Sequence, residues 1–197
     1  VYTDHKKYAQ IQLYNKYFLD VVKQNSEWVM VIDLDEFMYS RLGYKTITNY
    51  LESLDDNIDV IEVKLKMFGS NNHINQPESI IKGFTKRKIM NNHILDNHVK
   101  TISRTINLTK FNIHGHFFMG NIKTITLPTK TNENLLNKAA LHLNHYAIQS
   151  WDWFSRVKMT RGSATNSSQN NFRNKDYFKK YDFNDIQDTE LINKCSN

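Results

Sequence analysis

The sequence predicts an α/β fold, a central sheet flanked by helices, on three observations. A four-residue apolar run, Val29 to Ile32, is rich in β-branched types and leads straight into the acids Asp33, Asp35 and Glu36. Ahead of it, Ile11, Tyr14, Phe18 and Val21 or Val22 recur every three or four residues, the period of a helix with one apolar face. Beyond it, Ile61, Val63, Leu65 and Met67 alternate with Glu62, Lys64 and Lys66, the period of a strand. A chain of 197 residues, 40% hydrophobic and 12% aromatic, is long and apolar enough to bury a core. Residues 1–197 are read as one domain, with an irregular or helical tail over 163–197.

Taken in order, Thr3 or Asp4 is placed to cap a first helix over residues 5–24, with Tyr8 on its apolar face, and this helix is expected to lie on the sheet. Val29–Ile32 reads as a strand covered on both faces, as in a parallel sheet. In an extended backbone Asp33 and Asp35 then point to one side and Leu34 into the protein. Two carboxylates on one side of a strand's carboxyl end suit Mg²⁺ or Mn²⁺, which take one or two carboxylates and complete their shells with substrate phosphates. A bare Asp-x-Asp is also the ordinary form of a solvated acidic turn, and the spacing alone leaves both readings standing.

Thr46 to Leu54 is expected to form a short helix, and residues 57–67 a strand near a sheet edge with one wet face. Phe68-Gly69-Ser70-Asn71-Asn72-His73 breaks the pattern with turn formers, as a loop for ligand contact or a plain connection. Short extended segments are expected over Ser79–Lys88 and Val99–Arg104. Leu141, Leu143 and His145 alternate on one face of a strand, after which Ser150 is placed to cap a helix that Gly162 can end. Free amides at that helix start, with Arg156, Lys158 and Arg161 following, favour an anion such as a diphosphate. The alternative is a solvated cationic face behind a histidine that merely ends its strand.

Composition bounds the setting. The one cysteine, Cys195, forms no intrachain disulfide, and no Cys/His spacing resembles a zinc site, so a reducing compartment is expected. The cytoplasm is that compartment, with the cytoplasmic face of a membrane or a viral setting as variants. No apolar run approaches the ~20 residues of a membrane span. The net charge of +6 favours an anionic partner: a nucleotide, a nucleic acid or an acidic surface.

Five blocks, in order, then carry a resemblance. They are Trp28 with Asp33-Leu34-Asp35-Glu36-Phe37; Phe68-Gly69-Ser70-Asn71-Asn72-His73; Val99-Lys100-Thr101-Ile102; His145-Tyr146 with Ser150, Phe154 and Arg161-Gly162; and Phe172 with the closing Asp182-Phe183-Asn184-Asp185-Ile186-Gln187-Asp188. Together they resemble glycosyltransferase family 92 and its relatives in the glycosyltransferase family 2 clan. The resemblance implies a GT-A, Rossmann-like domain with a mixed, mainly parallel sheet, and a nucleotide-sugar donor, of the UDP-sugar class, held at an Asp-x-Asp metal site. It implies transfer with inversion to a glycan or other hydroxyl acceptor, and no nucleic-acid partner. Carried over by position, Asp33, Asp35 and His145 are the ligands of Mn²⁺ or Mg²⁺, with Asp35 the more direct of the two acids. Ser150, Arg156 and Arg161 face the donor diphosphate, and Ser70, Asn71, Asn72 and His73 form the loop for the acceptor or sugar. The general base is one of Glu78, Asp96, His114 and His116.

Two departures stand out. Gln149 occupies a position where the family commonly has lysine, and the strands that precede the first helix in the family, which help bind the nucleoside, are not in this sequence. Two other classes are kept beside the glycosyltransferase. Val-Ile-Asp33-Leu-Asp35 also resembles the first motif of haloacid-dehalogenase-type phosphotransferases, although Phe37 fits that motif poorly, and a glycosyltransferase-like binding module without turnover is the third.

Overall fold

The computed structural model describes residues 9–160 and 173–195. Helices α1 (Gln10–Tyr17) and α2 (Leu19–Asn25) lead to strand β1 (Trp28–Met30), and a turn carries the chain to β2 (Glu36–Ser40). Helix α3 (Ile47–Glu52), capped by the Thr46 side chain, precedes the long strand β3 (Val60–Met67). Helix α4 (Ile80–Gly83), strand β4 (Lys86–Arg87) and a 3₁₀ turn over Ile94–Asn97 come before β5 (Val99–Arg104). Strands β6 (Leu108–Lys110), β7 (Phe117–Phe118) and β8 (Thr124–Ile125), helix α5 (Glu133–Leu136) and strand β9 (Leu141–His145) follow. Helix α6 (Trp151–Trp153) runs on into a π-helical turn, Phe154–Lys158, and the tail holds α7 (Lys175–Tyr181), β10 (Ile186–Gln187) and α8 (Glu190–Cys195).

The main sheet has six strands in the order β1-β5-β3-β9-β2, with β8 beside the start of β3. Strand β3 pairs antiparallel with β5 through Val60–Lys64 and parallel with β9 through Leu65–Met67. Pairs β1/β5 and β2/β9 are antiparallel. The sheet is therefore mixed, and the expectation of a mainly parallel one is corrected: only β8 and β9 run along β3. The cause is local. Strands β1 and β2, joined by a few residues, occupy opposite ends of the strand order, so the sheet curls and the acidic turn crosses from one edge to the other. Ile61, Val63, Leu65, Ile102, Leu143, Ile148 and Phe154 fill the core.

Several expected elements change character. The first helix breaks at Phe18, and it docks through Asn15, whose side chain both donates to the Phe111 carbonyl and accepts from the Phe111 amide. Thr3, Asp4 and Tyr8 lie outside the described residues. Of the run Val29–Ile32 only Val29 and Met30 belong to strand β1, an antiparallel edge that is half-buried rather than covered on both faces, and Ile32 is exposed. Strand β3 is central rather than peripheral, and Lys64 and Lys66 are buried on the face that alternation made wet. Ser79–Lys88 is a capped helical turn followed by a short strand instead of one extended segment. No helix among the described residues is long and apolar enough to cross a membrane.

The buried Lys66 explains how the tail is held. Its Nζ donates to Asp188 Oδ2 (2.7 Å) and to the Tyr39 hydroxyl (2.6 Å). Arg87 Nε donates to the same Asp188 oxygen (2.6 Å), while its two terminal nitrogens grip both Glu133 oxygens. Glu190 accepts from Tyr39 and pairs with Arg41 and His142. Farther up the tail, Asp182 accepts from the Ser70 amide and Asn184 from the Asn71 amide. There the tail passes so close to Gly69 that a Cβ would run into the Phe183 carbonyl.

Removing one partner of a buried ion network leaves the other charges unanswered, at a cost of about 3–5 kcal/mol. Asp188→Ala is expected to lower the urea-unfolding free energy by about that amount, because Lys66 and Arg87 lose their shared carboxylate. A loss under about 1 kcal/mol, the worth of a surface pair, would show that water reaches this network.

Candidate functional site

The acidic stretch is a turn, closed by the Glu36 amide donating to the Asp33 carbonyl (3.0 Å). A turn abolishes the alternation of an extended strand, so Leu34, expected to point inward, is fully exposed. The acids are nevertheless gathered. Glu36 is buried, and its Oε2 accepts from the Asp33 amide (3.0 Å) and faces Lys100 Nζ (3.1 Å). The same fully buried ammonium donates to Asp33 Oδ2 (2.9 Å). Glu36 and His145 are register partners across β2 and β9, and the Tyr146 amide donates to the Asp35 carbonyl (2.9 Å). His145 Nε2 thereby comes 3.8 Å from Asp35 Oδ1 and 4.0 Å from Glu36 Oε1. Lys158, carried inward by the π-helical turn, donates to Asp35 Oδ2 at 2.6 Å, with its Nζ 5.4 Å from the Trp153 ring centre. One chain of ionisable groups thus runs Asp33, Lys100, Glu36, His145, Asp35, Lys158.

Burial sets the proton affinities here. It pulls the Asp35 carboxyl upward, but the Lys158 ammonium, then His145, more than reverse this and leave it below its ordinary value. Glu36 stays raised, because its burial outweighs the bonds from the Asp33 amide and Lys100. Burial pushes the His145 imidazole down to about 4, against the pull of Asp35, so the ring is neutral at pH 7. His145 Nδ1 is buried with no hydrogen-bond partner.

A divalent cation can be tested against this arrangement. Among the described residues no three His, Cys, Asp or Glu side chains form a ready-made cage. Two of the named ligands do meet: a carboxylate and a neutral imidazole 3.8 Å apart, too far for a hydrogen bond and close enough to share an ion. Mn²⁺ and Mg²⁺ bound with substrate phosphates commonly take only one or two protein ligands, so the pair fits in number and donor type. Asp33 Oδ2 is engaged by Lys100, as Asp35 Oδ2 is by Lys158.

The other expected site residues fall into two groups. His114 and His116 lie close enough to Lys100 to feel its charge, and His114 also feels Asp33. His114 is exposed, while His116 faces Ser103 Oγ (3.2 Å) and is pushed down to about 4 by burial. Glu78 is exposed in the loop before α4. Asp96 is buried as a cap, bonded to Lys88 and to the amides of Asn91 and His93. Arg156 points outward and pairs with Asp152, and Arg161 lies outside the described residues.

Ser150 is buried as the cap of α6 and donates to Gln76 Oε1. The amides expected to be free there have partners: Trp151 donates to His73 O, Asp152 to Ile74 O and Trp153 to Ser150 Oγ. The first amides of α6 are thus taken up by His73, Ile74 and the Ser150 cap. Gln149 is likewise buried and bonded to Gln76. In the loop itself, Ser70, Asn71 and His73 are tied to Asp182, Thr85 and Gly83, leaving Asn72 exposed. Sequence reasoning did not assign Lys100 or Glu36 a part, although a lysine set between the β-branched residues Val99, Thr101 and Ile102 of a predicted strand is the signal that finds such a residue.

His145 is expected to titrate near 4 in the folded protein and near ~6.5 in the unfolded chain. Between these values the unfolded chain binds more protons, so this residue's contribution to stability is full above ~6.5 and is lost as pH falls toward 4. NMR titration of the ring protons checks the first statement, and a shallower acid loss of stability in His145→Phe checks the second. A ring that titrates at ~6.5 would show that it is solvated.

No curated protein sequence matches the chain. The profile of glycosyltransferase family 92 matches residues 20–191, from α2 to the first turn of α8, and so takes in the acidic turn, the buried lysines, His145 and the docked tail. The chain belongs to glycosyltransferase family 92.

Proposed function

We propose that this chain is a GT-A-type glycosyltransferase domain that moves a sugar from a nucleotide-sugar donor, of the UDP-sugar class, to a hydroxyl of a glycan or other acceptor, with inversion. The observation that carries the reading is the approach of Asp35 and His145, 3.8 Å apart where the acidic turn meets the end of β9, in a chain of a glycosyltransferase family. Asp35 and His145 would hold Mn²⁺ or Mg²⁺, which supplies positive charge to the oxygens of a departing diphosphate.

The remaining work falls to the chain. Lys100 fixes the turn by holding Asp33 and Glu36, so Asp35 is presented without freedom to retreat. Lys158 and the outward Arg156 bring cationic charge to the same rim, and an exposed i,i+4 pair such as Asp152–Arg156 is weak enough for Arg156 to leave it for a phosphate. Arg161 is proposed to add to them. Inversion in one displacement requires a base for the acceptor hydroxyl. Of the four candidates, His114 is partly open to solvent, its pKa is lowered by partial desolvation and then by the Lys100 charge, and it lies within the field of Asp33. Its neutral ring is the proton acceptor in this reading, and Asn72 is the exposed contact of the acceptor loop.

Family membership leaves the haloacid-dehalogenase-type phosphotransferase without support. A binding module without turnover is separated by experiment. A ligand at a hundred times its Kd stabilises the folded state by about 2.7 kcal/mol, so UDP-sugars with Mn²⁺ should raise Tm measurably. Asp35→Asn is expected to abolish that Mn²⁺-dependent rise and leave the metal-free Tm in place; a variant that binds donor as the wild type does removes Asp35 from the site.

His114→Ala is expected to keep donor binding and lower transfer by about a hundredfold or more, the usual worth of a positioned base. Unchanged transfer would reassign the base. Donor binding with no transfer to any hydroxyl acceptor, in wild type as in variant, would select the binding module.

A further inference from the structure

We infer that the tail takes part in donor binding: Arg173, laid against the Tyr177 ring just ahead of α7, is a contact for the donor's anionic diphosphate. The inference rests on the reading of Asp35 and His145 as the site of the donor's cation.

Helix α7 is placed by aromatic packing and by the loop that follows Gly69. The Asn174 side chain caps it, accepting from the Tyr177 amide (2.9 Å). Buried Phe178 meets the Trp151 and Phe154 rings edge-on, with 5.1 Å between ring centres in each pair. Tyr177 lies nearly parallel to the Phe154 ring, at 15° and 6.1 Å. Just beyond the helix, Asp182 and Asn184 accept from the Ser70 and Asn71 amides, which holds the tail against the body of the protein. Phe154 opens the π-helical turn that ends at Lys158, and Lys158 donates to Asp35. The tail therefore rests on the same turn that reaches the acidic site.

Electrostatics gives the same placement. Burial raises the pKa of the Tyr177 hydroxyl, the Arg173 charge opposes that rise, and Asp35 is near enough to add to it. The hydroxyl keeps its proton at pH 7 and is a hydrogen-bond donor. Arg173 is half-buried, with its guanidinium carbon 5.5 Å from the Tyr177 ring centre. A ring face steadies a guanidinium and leaves its N–H groups for other partners.

The other described arginines, Arg41, Arg87, Arg104 and Arg156, each pair with a carboxylate. Among the described residues no carboxylate pairs with Arg173. A half-buried, steadied guanidinium without an acid partner, beside the acidic site, calls for an anion from outside the chain. Its planar fork of donors matches phosphate oxygens in pairs, and a diphosphate bound with the cation at Asp35 supplies them.

The test titrates UDP and uridine calorimetrically at saturating Mn²⁺ into the wild type, Arg173→Gln and Arg173→Lys. Arg173→Gln should weaken UDP about tenfold and leave uridine, which has no phosphate, unchanged; Arg173→Lys, which keeps the charge, should recover part of the loss. Equal UDP affinity in Arg173→Gln and the wild type overturns the inference and leaves the donor site standing. An equal loss for UDP and uridine overturns it as well, by showing that Arg173 acts through the fold. UDP that the wild type does not bind overturns the donor reading, and the inference with it.

A measurement on the wild type does not depend on how any variant folds. Modification of Arg173 by phenylglyoxal, read by peptide mass spectrometry, should fall when UDP and Mn²⁺ are added and stay unchanged with uridine and Mn²⁺. Modification that UDP does not reduce overturns the inference.

Discussion

A lysine enclosed in a β-sheet has to be met by a carboxylate, and two such lysines set the layout of this molecule. Lys66 on β3 and Lys100 on β5 lie on adjacent strands with wholly buried side chains. Lys66 is answered by Asp188 from the tail, and Lys100 by Asp33 and Glu36 from the acidic turn. Apolar packing brings the strands together, but the positions of the turn and the tail follow from these charges. A buried pair is costly to assemble and costlier to break, so it specifies an arrangement more than it adds to stability.

The segments legible in the sequence were those whose information is local. Strands β5 and β9 and the caps at Thr46 and Ser150 lie where alternation and capping chemistry place them. The misreadings came from residues whose partners are distant. Lys64 and Lys66 read as a wet face because alternation reports polarity, and polarity equals exposure only when no counter-charge waits inside; the carboxylate that buries Lys66 lies 122 residues away. Leu34 read as inward because two acids flanking it looked like a strand, whereas the Glu36 amide folds back on Asp33. Strand direction was equally hidden. A β-branched run such as Val29–Ile32 says that a strand exists, and only the curl of the whole sheet decides which neighbour it meets and how it runs.

For the site, the sequence supplied Asp35 and His145 and the general expectation of cations after Ser150. It did not supply their relation. That comes from cross-strand register, which sets Glu36 opposite His145, and from a π-helical turn, which brings Lys158 rather than Arg156 inward. The loop at 70–74 is legible as special, and the structure shows what else it does: it takes up the first two amides of α6 and receives the tail.

The docked tail carries a consequence for how the protein is made. Synthesis runs from the amino end, so β3 leaves the ribosome well before Asp188, and until then Lys66 has no tail carboxylate to enter the sheet with. The central strand can collapse onto its apolar neighbours early, yet Lys66 meets its tail carboxylate only once Asp188 has emerged. Docking of the tail against β3 is thus a late event, set by the 122 residues between Lys66 and Asp188.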